Sequence, residues 1–174
     1  MPKRLALAAA VVLATVPAAA AEGPGLGRPA TPGEVAAWDI SIPPDGTGLP
    51  PGSGTPHQGE ALFAERCAGC HGEKGAGKPN DALVGGIGTL AGDKPAVKTV
   101  GSFWPYATTL FDYIRRAMPL GAAKTLSDSE VYAVTAYLLR LNGIIGDAAV
   151  VDAKTLPQVQ MPNRTGFIPF SPGR

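Results

Sequence analysis

Cys67, Cys70 and His71 stand together in the stretch RCAGCH (residues 66–71), and the 174-residue chain has no other cysteine. Two thiols three positions apart lie about one helical turn from each other, with an imidazole directly behind the second. Several chemistries use such a grouping. A zinc site wants four ligands, and the only further histidine is His57, well upstream. A thioredoxin-like dithiol sits in a βαβ setting, whereas here a helical pattern is followed by a glycine-rich run. A disulfide across so short a loop removes little chain entropy and leaves His71 without a task. The remaining chemistry is covalent attachment of one c-type haem, with thioethers from Cys67 and Cys70 to one edge of the macrocycle.

His71 is then the expected proximal iron ligand. Its other ring nitrogen needs a partner, and a backbone carbonyl such as that of Pro79 would serve. For the opposite face the inventory is His57, Met118 and Met161, Met1 leaving with the leader described below. His57 precedes His71 by fourteen positions, on the order of 20 Å if that stretch is helical, which is too far. In Arg115-Arg116-Ala117-Met118-Pro119 the proline biases Met118 out of helical geometry, so its thioether can project from a helix end. Met118 is the expected sixth ligand, with Met161 in Gln-Met-Pro-Asn as the alternative. Either methionine implies a raised reduction potential suited to passing one electron. Trp104 and Tyr106 have polar tips that could reach a haem propionate, or they form a buried aromatic pair. Arg115 and Arg116 could offset propionate charge, face an acidic partner, or be solvated.

The elements that must position these groups are helical. Thr55-Pro56-His57-Gln58 is a capping box with proline at the first helical position, so a helix starts here and runs to the cysteines. Gly59, Phe63 and Cys67 fall on one face of it. Residues 72–104 are glycine-rich and read as a long loop. A second helix is expected over Ala107–Ala117, with Leu110, Ile114 and Ala117 on a stripe and Pro119 ending it. Ser127-Asp128-Ser129-Glu130 caps a third, whose apolar positions are Val131, Val134, Leu138 and Leu141 and whose stop is Asn142-Gly143.

Residues 22–54 hold 7 Pro and 8 Gly, so an irregular arm is expected there, with Val35, Trp38, Ile40 and Ile42 as scattered anchors. A second extended arm is expected over 147–174. The expected organisation is therefore a leader at 1–21, an arm at 22–54, an all-α haem domain at 55–146 and a C-terminal arm at 147–174. The leader has basic Lys3 and Arg4, an apolar run over Leu5–Val16 and small residues at Ala19 and Ala21, the pattern of a cleaved secretory signal. Its apolar run is shorter than the roughly 20 residues a membrane span needs. Cleavage leaves 13 basic and 14 acidic residues, a formal charge of −1, which does not suggest nucleic acid as a partner. Export places the chain in an oxidising compartment, expected to be the periplasm, with no span in the mature form.

This arrangement resembles the class I cytochromes c: three main helices around one covalent haem, here with extended N- and C-terminal arms. In that family the terminal helices touch at a glycine and an aromatic residue, which map onto Gly59 and Phe63 meeting Tyr137 or Leu138. The stretches GRPATPGEVAAWDISIPPDGTGLPPGSG, GSFWPYATTLFDYIRRAMPLG, LSDSEVYAVTAYLLRLNGII and DAKTLPQVQMPN are similar to the cytochrome subunit of Sox-type sulfane dehydrogenase, also called sulfite dehydrogenase. The resemblance implies an electron-transfer subunit without a catalytic residue of its own. Its electrons would come from a molybdenum-containing dehydrogenase subunit in thiosulfate oxidation and pass to a downstream cytochrome c acceptor. Some members carry a second haem domain; with one Cys-x-x-Cys-His, this chain is expected to carry one haem. The arms would either wrap the partner, with Trp38, Phe167 and Phe170 among the anchors, or dock on the cytochrome's own body. The alternatives are a free-standing soluble electron carrier and a haem peroxidase, the latter disfavoured by a methionine on the sixth site.

Overall fold

A computed structural model of the chain describes residues 26–93 and 95–168. The expected leader at 1–21 and the expected anchor Phe170 lie outside the described residues. The chain divides into a unit ending at Trp38 and a unit beginning at Asp39.

In the first unit, α1 (Pro32–Trp38) lies where an irregular arm was expected. Its start is legible in retrospect: Thr31-Pro32-Gly33-Glu34 has the same form as Thr55-Pro56-His57-Gln58. The Thr31 amide donates to Glu34 Oε2 (2.8 Å), the Glu34 amide donates back to Thr31 Oγ1 (3.3 Å), and the Arg28 guanidinium grips both Glu34 oxygens. Arg28, more than Thr31, pulls the Glu34 carboxyl down to about 2. α1 buries none of its residues, and Trp38 is 87% exposed.

The second unit is built on helices. α2 (Pro56–Arg66) is followed at once by the single turn α3 (Ala68–His71), then by the short α4 (Val100–Phe103), α5 (Ala107–Ala117) and α6 (Asp128–Leu141). α2 and α6 each begin with the capping box read from the sequence, at Thr55/Gln58 and Ser127/Glu130. α4 lies within the glycine-rich stretch expected to be loop. It starts on a further box, Thr99/Ser102, whose side chains are buried rather than solvated. A two-residue antiparallel pair, β1 (Ser53–Gly54) with β2 (Val151–Asp152), joins the segment before α2 to the segment after α6.

α6 forms the centre of the core. The sequence stripe suggested one apolar face, yet nine consecutive residues, Val131–Leu139, are buried. α2 crosses one side, α5 packs on another through Phe111 against Tyr132 (ring centroids 4.4 Å), and irregular chain closes the rest. The Tyr132 hydroxyl donates to Pro50 O (2.9 Å), and Gly54 lies against the Ala133 backbone. Residues 39–54 and 147–168 are thus laid onto the unit itself: Ile42, Val151, Leu156 and Met161 are core residues. Further along, Asn163 Nδ2 donates to Phe103 O (2.7 Å), Arg164 stacks over Tyr106, and Phe167 meets Phe103 edge-on. Among the described residues no helix is long and apolar enough to cross a membrane.

Candidate haem site

α2 ends because Cys67 leaves helical geometry (φ −123°, ψ −36°), while its amide still donates to Phe63 O (2.9 Å). The chain then makes the α3 turn, with the amides of Cys70 and His71 both donating to Cys67 O (3.1 and 3.0 Å). Gly72 follows at φ +75°, and a Cβ there would stand 2.3 Å from Gly77 O, so only glycine allows the return of the loop. That return is fastened by Gly77 N–H to His71 O (2.7 Å) and Asn80 N–H to Cys70 O (2.9 Å).

The fastening decides the partner of His71. Its Nδ1 lies 3.1 Å from Asp81 O, not at the Pro79 carbonyl. With the Asn80 amide engaged by Cys70 O and the Asn80 carbonyl by the Lys78 amide (2.7 Å), the free carbonyl brought to the ring belongs to Asp81. A proton on Nδ1 serves this contact and leaves Nε2 with a lone pair for a metal.

His71, Cys67 and Cys70 line a cavity of about 420 Å³ between α2–α3, α5 and α6. Phe63, Leu83, Ile114, Leu126, Val134 and Leu138 make its apolar wall; Arg66, Asn80 and Tyr113 bring polar atoms. Met118 lines it as well, as the C-cap of α5, with extended backbone (φ −117°, ψ 151°) and its amide bonded to Ile114 O (3.0 Å). The shift out of helical geometry expected ahead of Pro119 is present. Met161 is not part of the lining; it is 3% exposed within the hydrophobic core.

Other candidates fall elsewhere. His57 lines a separate depression with Glu60, Arg140 and Asp147. Tyr106 lies under the Arg164 guanidinium (4.5 Å to the ring centroid), which takes it away from the cavity. Trp104 is one layer removed, edge-on to Tyr113 at 5.6 Å, and Tyr113 is the ring that lines the cavity. Arg115 donates to Asp128 (2.9 Å) and Arg116 pairs with Asp112, so both are engaged within the unit. Sequence reasoning missed Arg66, Asn80 and Tyr113. Arg66 had a simple signal, adjacency to Cys67; the Asp81 carbonyl had none, since every residue carries one.

These residues fit a haem. The lining is apolar apart from a few polar groups, the size is within the roughly 300–1,000 Å³ of ligand clefts, and the donor set offers one imidazole and one thioether. Cys67 is partly buried against the apolar wall, and burial, then the neighbouring Cys70, pushes its thiol up to about 11. A reactive dithiol needs the opposite shift, whereas a neutral thioether suits that apolar setting. Among the described residues no group of three or more His, Cys, Asp or Glu is placed to hold a bare metal ion.

Comparison with known proteins agrees. Residues 54–138 match the family described as cytochrome c oxidase, cbb3-type, subunit III. A chain in the crystal structure of the sulfane dehydrogenase SoxCD from Paracoccus pantotrophus is 49% identical, with a TM-score of 0.77, over 84% of this chain and 72% of that one. Thiosulfate dehydrogenase of Psychrobacter arcticus is 36% identical over 83 residues, 48% of this chain; the match spans only a quarter (25%) of that relative's length. With its all-α haem-binding architecture, this chain belongs to the class I c-type cytochromes, which carry haem c, in the group of the cytochrome subunit of Sox-type sulfane dehydrogenase.

Proposed function

We propose that this chain carries one haem c on Cys67 and Cys70, with His71 and Met118 as axial ligands. In this reading it is the electron-transfer subunit of a molybdenum-dependent sulfane or sulfite dehydrogenase in the periplasm. The observation that carries the site assignment is that His71 and Met118, from α3 and from the end of α5, line the same cavity as both thiols. When bound, the haem supplies one-electron chemistry at iron, at a potential raised by histidine–methionine ligation.

The chain's own residues do the rest. The Asp81 carbonyl orients His71, and the cysteines prevent loss of the group. Phe63, Ile114, Val134 and Leu138 exclude water from the buried side of the cavity. Tyr113 and Arg66 bring polar atoms to its rim, Tyr113 being braced by Trp104.

The partner assignment rests on 49% identity to a chain of SoxCD over 84% of this chain. That extent exceeds residues 54–138 and so takes in flanking segments as well. In this reading α1, with Val35 and Trp38 exposed, contacts the molybdenum subunit, and half-exposed Phe167 of the second unit offers it a further apolar anchor. Electrons leave to a downstream cytochrome c.

The test is co-expression of the full chain with its candidate molybdoprotein and a cytochrome-maturation system. Co-elution as a red complex supports the reading; a small red monomer that never binds the molybdoprotein returns it to a free-standing carrier. Ferric spectra address the ligand: the methionine–iron charge-transfer band should vanish in Met118→Ala and persist in Met161→Leu.

A further inference from the structure

Asp112 is the one acidic side chain of α5, and it is buried (6% exposed). A carboxylate in such a place must be paired and hydrogen-bonded, or it destabilises the fold. Its Oδ1 accepts from the Ile42 backbone amide (3.1 Å) and from Arg116 Nε (2.9 Å), while Arg116 Nη2 donates to Oδ2. One turn earlier, Thr108 Oγ1 donates to Pro44 O (3.2 Å). α5 is therefore bolted at two levels to the short stretch Ile42–Pro44, which precedes the region matched by the family, residues 54–138.

Beyond these bolts the end of α5 is held by apolar packing, with Ile114 in the core and Met118 against it, and such contacts resist sliding along the helix axis less than directional bonds do. Met118 caps it through one amide bond to Ile114 O, and the residues that follow are open, with Leu120 80% exposed. The other clamp near that end, Arg115 to Asp128, joins partly solvated groups, and such pairs contribute little. Met118 stands six positions after Asp112, about 9 Å along the helix axis at 1.5 Å per residue. A rigid helix of that length passes any axial slip at Asp112 directly to the thioether.

Resting on the assignment of Met118 as iron ligand, we infer that Asp112 is a positioning residue for Met118, so that Ile42–Pro44, ahead of the haem domain, forms part of the support of the axial ligand. The clamp holds α5 against sliding, and thereby holds the thioether at the cavity.

The experiment uses the matured holoprotein and measures ferric imidazole affinity, the methionine–iron band and the reduction potential. Asp112→Ala should raise imidazole affinity about tenfold or more, the equivalent of losing a charge-assisted hydrogen bond. It should also weaken the band and lower the potential. The sign is diagnostic, because deleting a negative charge acting only through its field would raise the potential. Thr108→Val, which removes a single hydroxyl, should move all three readouts the same way by less, and it covers the case in which Asp112→Ala fails to mature. In a Met118→Ala background, Asp112→Ala should leave imidazole affinity unchanged. Unaltered affinity and band in a folded Asp112→Ala or Thr108→Val protein, or equal affinity changes with and without Met118, would overturn the inference. Failure of the ligand assignment itself looks different, since Met118→Ala alone would then keep the band.

Discussion

Gly59 of α2 approaches Ala133 of α6 so closely that a Cβ on Gly59 would stand 1.9 Å from the Ala133 carbonyl oxygen. Gly54 of β1 would likewise place a Cβ 2.2 Å from the Ala133 amide nitrogen. One residue of the central helix thus has its backbone approached by two glycines, and this close crossing lets Phe63 tilt onto Tyr137 at 5.4 Å between ring centroids. Phe63 carries the effect on to the haem cavity, whose wall it forms.

Gly59→Ala should therefore destabilise the holoprotein by about 2 kcal/mol, the overpacking cost outweighing the roughly 1 kcal/mol gained in helix propensity. Denaturant unfolding followed by far-UV circular dichroism measures it. Stability equal to wild type would mean that the helices separate freely at this crossing.

Tyr132 governs an alkaline limit. Burial, with Asp128 and Asp152 nearby, pushes its phenol up to about 12 from an ordinary 10. The folded state favours the protonated form, so this contribution is fully present below pH 10 and is lost as pH rises towards 12. Wild type should lose stability across that window, and Tyr132→Phe should lose less. The substitution should also cost about 1 kcal/mol at neutral pH, for the bond to Pro50 O. Unfolding curves at stepped pH check both.

Asn142 pins the glycine-rich loop to the end of α6. Its Nδ2 donates to Leu83 O (3.1 Å) and Leu138 O (2.9 Å), and its Oδ1 accepts from the Gly85 amide (3.1 Å). Asn142→Ala should cost about 2 kcal/mol, since buried partners are left unmatched. Faster amide exchange over residues 83–100 than elsewhere would show that the loop is what loosens.

Arg66 and Arg115 should behave differently despite equal charge. Arg66→Gln removes a cation from the cavity lining, so the potential should fall, by less at high salt. Arg115→Gln breaks a part-exposed pair with Asp128, costs under about 1 kcal/mol and leaves the potential in place. Spectroelectrochemical titration of both variants separates the cases.

Local chemistry by itself determined a good deal here. Cys67, Cys70 and His71 are neighbours on the chain, and a Thr or Ser with its partner three positions on starts a helix within a single turn. Hence the haem motif, α2, α5 and α6 were legible, and α1 carries the same local signal, Thr31-Pro32-Gly33-Glu34 having the form of its twin at Thr55. Tertiary structure decided what depends on segments far apart in sequence. The loop return hands His71 the Asp81 carbonyl and leaves that of Pro79 aside. The docking of α5 brings Met118 to the cavity while Met161 goes into the core, and Asp112 and Asp128 take up the two arginines that composition left free. A backbone carbonyl looks alike at every residue, and a side chain's burial is set by whatever packs against it, so neither is written in local spacing.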